Sequence, residues 1–148
     1  GAVVQRGTPD ELYENPVNTY VAGKIGSPHM NMIAATISKD GKSLDTPLGV
    51  VAAPRVLKSS SGEKALMGIR PSDISMTAKG KGSIASKIHL LEPLGDVTVV
   101  SVEAGGEMLR LVLPENQANK MKLGDTANVS LNAERIHIFN AASGQALA

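Results

Sequence analysis

From Met30 onward, short apolar runs alternate with clusters of glycine, proline and small polar residues. This texture is typical of an all-β sandwich or barrel. A β-branched run at 97–102 and an alternating run at 108–113 flank a glycine-containing turn at 104–107. They form the clearest predicted hairpin in a set of six or seven strands.

Alternation of apolar and polar side chains predicts a half-buried strand at 84–91. Ile84, Ile88 and Leu90 fall on its apolar side, whereas Lys87 and His89 fall on its polar side. Further apolar runs that fit a β architecture lie at 32–37, 50–53, 65–69, 127–131 and 136–139.

Residues 39–42 are typical of a hairpin turn in which Gly41 takes a positive φ. The sequence Gly-Lys-Ser at 41–43 also matches the end of a phosphate-binding P-loop. A P-loop requires a further glycine where this chain has Thr36, and no helical pattern follows. The turn is therefore the favoured interpretation, and ATP is not expected to bind here.

The first thirty residues differ in character from the rest of the chain. Thr-Pro-Asp-Glu at 8–11 is typical of a helix N-terminus, and Asn-Pro at 15–16 ends that helix. Two glycines and a proline within 23–28 then indicate a boundary. We expect one segment at 1–30 and a β domain at 31–148, and the start without Met indicates a piece of a longer protein.

Composition narrows the function classes. Fifteen basic and fourteen acidic residues give a net charge of +1, far from the excess of a protein that binds phosphate backbones. The aromatic residues are Tyr13, Tyr20 and Phe139, which leaves no platform for stacking bases and a core of Val, Ile, Leu, Ala and Met. The chain has no cysteine, and no apolar run approaches the ~20 residues of a membrane-spanning helix.

Candidate catalytic and metal chemistry is sparse. His29, His89 and His137 lie far apart, and none has a second ligand type three or four residues away. No serine stands in a Gly-x-Ser-x-Gly motif. Neither a metal site nor hydrolytic catalysis is expected of this chain.

The loop around residues 79–87 is a candidate anion site. Backbone amides beside its two glycines can cradle an anion, and Lys79, Lys81, Ser83 and Lys87 would assist them. A solvated loop between strands is the alternative, because no helix follows to focus positive charge there.

Several segments carry a family resemblance. Residues 1–16 and 21–31 resemble the end of the ATPase domain in the ATP-binding subunits of ABC importers for maltose and glycerol-3-phosphate. Residues 66–74 are similar to the Gly-Ile-Arg-Pro-Glu segment of the regulatory domain that follows, with Ser72 in place of the glutamate. Residues 91–96 and 136–140 resemble its Glu-x-Leu-Gly-acid segment and its closing strand.

The resemblance implies a mainly β fold, an OB-like transport-associated barrel preceded by a short helical remnant of the ATPase domain. It implies a regulatory and dimerisation domain with no ATP site, cofactor or enzymatic activity of its own, whereas the parent chain would use ATP and Mg. The alternative is a barrel that senses a small ligand or an oxyanion.

The resemblance also implies partners and location. They are a second copy paired through the barrel, membrane permease subunits bound by the parent ATPase domain and, as an open alternative, a cytoplasmic regulatory protein. Nucleic acid is not among them. The parent subunit would lie in the cytoplasm, peripheral to the inner face of the cell membrane.

The family-like segments contain the candidate structural or regulatory residues Arg70, Pro71, Asp73, Glu92 and Gly95. Proline fixes φ and lacks an N–H group, so Arg70-Pro71 is expected to end a strand and make a corner. We expect Arg70 to fold back on Asp73 or Glu92, the alternative being an exposed charge at the end of the strand.

Overall fold

The computed structural model describes residues 29–147, so the helices predicted within 1–28 lie outside the described residues. The described part of the chain contains ten strands, where the sequence pattern predicted six or seven. The strands are β1 Asn31–Ile37, β2 Ser43–Thr46, β3 Gly49–Ala52, β4 Lys64–Ile69, β5 Ile74–Met76, β6 Ile84–Pro93, β7 Val97–Ala104, β8 Glu107–Pro114, β9 Thr126–Leu131 and β10 His137–Asn140. One short helix, α1, spans Glu115–Ala118, and 3-10 turns lie at Lys58–Ser60, Pro71–Asp73 and Ala133–Arg135.

The strands form two antiparallel five-stranded sheets. The first sheet has the order β10-β4-β1-β2-β3, and the second has the order β5-β9-β6-β7-β8. The two sheets together make a nearly closed, OB-like barrel, which confirms the predicted mainly β fold.

The core lies between the two sheets and consists of aliphatic side chains. Because side chains alternate across a strand, a strand with one face on the core sends every second residue inward, as β1 does with Ile33, Ala35 and Ile37. Fully buried members include Ile33, Ile37, Leu44, Met67, Ile69, Val100, Val102, Leu109, Leu111, Val129 and Ile138. Phe139 is also fully buried, but it packs with Met30, Met32 and Leu66 in a separate small cluster. The prediction of an aliphatic core is confirmed.

β2 and β5 coincide with none of the apolar runs in the sequence, because neither strand has a strong local signal. β2 contains Ser and Asp, which are poor strand formers, yet its Leu44 is fully buried between β1 and β3. β5 is three residues long and pairs with β9. Both strands exist because of their neighbours in the sheets.

The predicted hairpin between β7 and β8 is confirmed. Ala104 lies opposite Glu107, so the loop consists of two residues, Gly105 and Gly106. Their φ angles are +57° and +81°, as the mirror-image turns favoured in tight hairpins require. A Cβ atom on Gly105 would lie 1.9 Å from the Pro47 carbonyl oxygen, so this turn abuts the β2–β3 turn of the first sheet.

The predicted face of Leu90 is wrong, and a β-bulge is the reason. Ile88 lies opposite Val102 on β7, whereas Leu90 lies opposite Ser101, the next residue along. His89 is therefore an extra residue in the ladder, and the alternation shifts by one position after it. Ile88 is 3% exposed, but Leu90 is 44% exposed.

The turn at 39–42 is also confirmed, with Gly41 at a φ of +71°. The Ser38 hydroxyl donates to Asp40 Oδ1 over 2.7 Å, and the Lys42 N–H donates to the same oxygen over 3.0 Å. The hydrogen bond from Ser38, followed by that from the Lys42 N–H, lowers the pKa of Asp40 below its ordinary value. The Gly-Lys-Ser sequence thus lies in a hairpin between β1 and β2.

Candidate functional site

Arg70 and Pro71 lie where the chain passes from one sheet to the other. β4 of the first sheet ends at Ile69, and β5 of the second sheet begins at Ile74. Pro71 occupies the start of the intervening 3-10 turn, where its missing N–H group is no loss. The corner expected from the Arg70-Pro71 pair is therefore present.

The Arg70 side chain turns inward at this corner. The residue is 3% exposed, and its Nη1 lies 3.2 Å from His137 Nε2 on β10. Because a guanidinium group has no acceptor, His137 Nε2 accepts this hydrogen bond, and the proton of the neutral ring lies on Nδ1. The alternative of an exposed charge at the strand end is wrong.

Of the two expected acidic partners of Arg70, Asp73 lies within the corner, whereas Glu92 lies on β6 of the second sheet. Asp73 lies at the end of the same 3-10 turn, where its N–H donates to the Arg70 carbonyl and its carbonyl accepts from the Asn132 N–H. Glu92 is exposed on β6, opposite Val99. An ion pair between Arg70 and either carboxylate stays a prediction.

Gly95 lies in the turn between β6 and β7 with a φ of +101°. The Leu94 N–H donates to the Val97 carbonyl across this turn. A non-glycine residue rarely adopts such a φ, so the backbone conformation itself explains glycine at this position.

Asn31 is a buried polar residue that the sequence patterns did not single out. Its Nδ2 donates to the Ile69 carbonyl over 3.2 Å and to the Arg110 carbonyl over 2.9 Å. Its Oδ1 accepts from the Arg110 N–H over 2.8 Å. The Asn31 side-chain amide thus pairs with both backbone groups of Arg110, as the backbone of a neighbouring strand would. It thereby joins β1 and β4 to β8 of the second sheet.

Asn31, Arg70 and His137 form what we call the junction cluster. Asn31 lies opposite Ile69 in the ladder, Arg70 follows Ile69, and His137 lies opposite Gly68. All three residues therefore meet at one end of β4. An isolated asparagine at the start of an otherwise apolar strand was the available signal for Asn31, and nothing local marked His137 as a partner of Arg70.

The candidate anion loop has a hydroxyl group that is already engaged. Ser83 Oγ donates to the Gly80 carbonyl over 2.7 Å and accepts from the Gly80 N–H over 3.0 Å. The one proton of the Ser83 hydroxyl is therefore used in a hydrogen bond within the loop. Lys79 and Lys81 are exposed on the same loop.

Ser83 and Lys87 border different cavities. Ser83 lines a cavity of about 420 Å³ together with β3, Leu131 and Ile136. Lys87 lines an open cavity of about 340 Å³ with Glu103, which lies directly opposite it on β7. The structure does not bring these two candidate residues into one cavity.

Between residues 29 and 147, no group of three His, Asp or Glu side chains is arranged to hold a metal ion. No helix in the same range has both the length and the apolar character needed to cross a membrane.

Family profiles match most of the chain in two adjoining parts. Residues 26–74 match the MalK OB fold domain, and residues 67–139 match the TOBE domain. The two matches overlap at 67–74, which contains the Arg70-Pro71 corner.

Curated relatives match almost the whole chain. The sn-glycerol-3-phosphate import ATP-binding protein UgpC 1 of Rhizobium johnstonii is 31% identical over 98% of this chain and 39% of its own length. The trehalose/maltose import ATP-binding protein MalK of Thermococcus litoralis is 29% identical over 99% of this chain and 42% of its own. The α-glucoside transport ATP-binding protein AglK of Rhizobium meliloti is 31% identical over 95% and 40%. The chain thus spans about two fifths of the length of these relatives.

A solved structure shares the fold. The cytoplasmic molybdate-binding protein ModG, crystallised with molybdate bound, superimposes with a TM-score of 0.62. The alignment covers 73% of this chain and 94% of that protein at 14% sequence identity. At this level of identity, the likeness shows a common barrel architecture.

Proposed function

This chain belongs to the family of TOBE and MalK-type OB-fold domains, and from this premise we propose that it is the regulatory and dimerisation domain of an ABC importer's ATP-hydrolysing subunit. The imported solute would be a sugar, a polyol or a sugar phosphate. The observation that carries the proposal is the match of 98% of the chain to about two fifths of importer ATP-binding proteins.

The profile matches and the fold support this proposal together. The MalK OB-fold match covers the first sheet's β1 to β4, and the TOBE match continues to the end of the core. Their overlap falls where Arg70 joins the two sheets. A single barrel therefore accommodates both matches.

We also propose the division of the chain. Residues 1–30 would be the tail of the ATP-binding domain, and residues 31–148 would be the regulatory domain. Support comes from β1, which begins at Asn31, and from the MalK OB-fold match, which begins at residue 26.

The parent subunit would bind ATP and Mg and hydrolyse ATP, whereas this chain would have neither the cofactors nor the activity. It would dock on membrane permease subunits through its ATPase domain, at the cytoplasmic face of the membrane. The present chain would contribute self-association and a surface for regulation.

Two measurements test the proposal. Sedimentation velocity over a concentration series should show a monomer–dimer equilibrium, and a strict monomer at the highest concentration would contradict the dimerisation role. Titration with ATP and Mg should show no binding to the chain. Tight nucleotide binding would refute the proposed division.

The alternative is an anion-sensing or small-ligand-sensing barrel built on Lys79, Lys81, Ser83 and Lys87. It has weaker support, because the Ser83 hydroxyl closes its own loop and Lys87 faces Glu103. Thermal melting with molybdate, phosphate, sugars and sugar phosphates distinguishes the two functions, since a ligand that binds the folded state raises the transition temperature.

A further inference from the structure

β10 has a neighbour on each side. On one side it pairs with β4, and on the other side residues 144–147 of the chain return along it in the antiparallel direction. The Leu147 N–H donates to the Ile138 carbonyl over 2.7 Å, and the Asn140 N–H donates to the Gln145 carbonyl over 2.8 Å. We call residues 144–147 the strap. The strap occupies the outer side of β10, the last named strand of the first sheet.

One side chain of the strap faces the core. The antiparallel bridge between Phe139 and Ala146 places Leu147 opposite Ile138, and the side chains of opposite residues lie on the same face of a sheet. Ile138 is fully buried, so Leu147 also faces inward, where it packs partly buried against the core. Backbone hydrogen bonds to an edge strand and contacts for alternate side chains are the two components of strand addition. The strap thus binds β10 as an added peptide strand binds a sheet.

The far end of the strap contacts an arginine from a distant segment of the chain. Arg55 follows β3, and its Nη2 donates to the Leu147 carbonyl over 2.7 Å. Arg55 is exposed, and an exposed hydrogen bond adds little net free energy, because water can replace either partner. This contact therefore orients the strap but stabilises it only weakly.

The turn that leads into the strap has hydrogen bonds of its own. Asn140 Oδ1 accepts from the Ala142 N–H and from the Ser143 N–H, each over 2.9 Å. Gly144 then has a φ of +74°, a conformation that favours glycine. Neither of the two hydrogen bonds to Asn140 Oδ1 uses a strap residue. The turn can therefore stay formed when the strap leaves β10.

Burial differs between the two sides of β10. None of residues 141–147 is buried, whereas on the other side β4 contributes the fully buried Met67, opposite Ile138. Segments with few buried apolar contacts and with exposed hydrogen bonds open locally, at a lower free energy than global unfolding. The strap is such a segment, and its opening frees the Ile138 carbonyl and the Asn140 N–H.

We propose that the strap opens as a unit and that the open edge of β10 then binds an extended segment of another protein. That segment would supply backbone partners for Ile138 and Asn140, with an uncharged aliphatic side chain where Leu147 stands in this structure. A second copy of the chain is a poorer occupant, because exchanging two straps restores the same contacts and costs the entropy of association. The inference does not depend on the proposed dimerisation.

Native-state hydrogen exchange on the full wild-type chain tests the opening. The Leu147 and Asn140 amides should exchange at rates that low urea leaves unchanged, since local opening exposes little new surface. The Met67 amide lies in β4, which has a strand on both sides, and its exchange should accelerate as urea rises. If Leu147 and Asn140 followed the urea dependence of Met67, the strap would not open separately and the inference would be refuted. Unprotected Leu147 and Asn140 amides would also overturn it, because the strap would then not occupy β10.

A labelled peptide with the sequence of residues 143–148, Ser-Gly-Gln-Ala-Leu-Ala, tests the binding edge by fluorescence anisotropy. Leu147→Asp weakens the strap, so this variant should bind the peptide at least about tenfold more tightly than the wild-type chain, whose own strap competes at a high effective concentration. Leu123→Asp is the matched control, since Leu123 is 64% exposed in the segment before β9, and it should bind the peptide as the wild-type chain does. A peptide with aspartate in place of its leucine should not bind.

The outcomes separate this inference from the proposed dimerisation. Equal affinity of the peptide for Leu147→Asp and wild-type chains, or binding to neither, would refute the strand-binding edge. Wild-type association that Leu147→Asp abolishes would assign the edge to a second copy and overturn the inference. A strictly monomeric wild-type chain would contradict dimerisation alone, because tighter peptide binding by Leu147→Asp needs no dimer.

Discussion

At the scale of the residue, burial separates Arg70 from the other basic side chains. A guanidinium group that is 3% exposed must be compensated by partners, because an uncompensated buried charge is strongly unfavourable. His137 supplies one such contact from 67 positions away in sequence. The junction cluster therefore couples the corner after β4 to the last strand of the first sheet.

Replacing Arg70 with alanine should lower the free energy of unfolding by about 1–3 kcal/mol, since a charged hydrogen bond in a buried setting is lost. Arg70→Lys should recover only part of the loss, because an ammonium group lacks the planar fork of the guanidinium. Urea denaturation measures both effects. Arg110→Ala is the control, because the Arg110 side chain is exposed and only its backbone serves Asn31. Unchanged stability and dimerisation in Arg70→Ala would refute an ion pair at this residue.

The turn at 39–42 allows a prediction about pH. Since hydrogen bonds lower the folded-state pKa of Asp40, its ionised form is favoured by folding. The resulting stabilisation is present above the ordinary carboxyl pKa and disappears as the pH falls through the lowered value. Ser38→Ala removes the hydrogen bond that contributes most to lowering the pKa of Asp40, so this pKa should move upward. NMR titration of the Asp40 carboxyl carbon measures the change. Ser75→Ala, on β5, should leave that titration curve in place; an unchanged curve in Ser38→Ala would contradict the assignment.

At the scale of the element, turn chemistry decides where hairpins form, and close approach decides which glycines are replaceable. Gly105 and Gly106 both have positive φ, but only Gly105 abuts another backbone segment. The β7–β8 hairpin thus has one glycine required by conformation alone and one required by conformation and space.

Gly105→Ala should therefore destabilise the protein more than Gly106→Ala. Both variants bear the strain of a positive φ, about 1–2 kcal/mol. Only the first places a Cβ atom 1.9 Å from the Pro47 carbonyl oxygen, which forces the β2–β3 turn to move. Thermal unfolding of the two variants measures the difference, and equal destabilisation would show that the two turns are not in contact in solution.

Element boundaries and strand faces were predicted well where the signal was local. The β7–β8 hairpin, the turn at Gly41 and the end of β4 before Arg70 follow from residue types within a few positions. Leu90 was assigned to the wrong face, because the bulge at His89 arises from pairing with β7 and leaves no mark in the alternation. β2 and β5 were missed for a related reason, since their partners stabilise them.

At the scale of the whole molecule, Asn31 holds the two sheets together. Its amide makes three hydrogen bonds that link β1, the end of β4 and β8. A barrel whose sheets met only through apolar contacts could slide at this edge. The asparagine fixes the register of the closure.

Asn31→Ala should reduce the free energy of unfolding by about 2–4 kcal/mol, because the Arg110 N–H and two carbonyl groups lose their partner together. Hydrogen exchange at the Arg110 amide should accelerate, which a general loss of packing would not single out. Asn31→Asp is the matched variant, since it retains an acceptor for that N–H but cannot donate to the carbonyls. If the Arg110 amide of Asn31→Ala exchanged as slowly as in the wild type, the role assigned to Asn31 would be contradicted.

Local sequence was sufficient for the β class, the aliphatic core and the main hairpins, since side-chain alternation and turn conformation depend on neighbouring residues. It also placed Arg70 and Pro71 at a corner, because proline restricts its own backbone and that of the residue before it. Tertiary structure alone decided that Arg70 is buried against His137, that Asn31 closes the barrel, and that Ser83 and Lys87 border different cavities. Each of these depends on contacts between segments far apart in the chain, whose pairing is set by the packing of the two sheets.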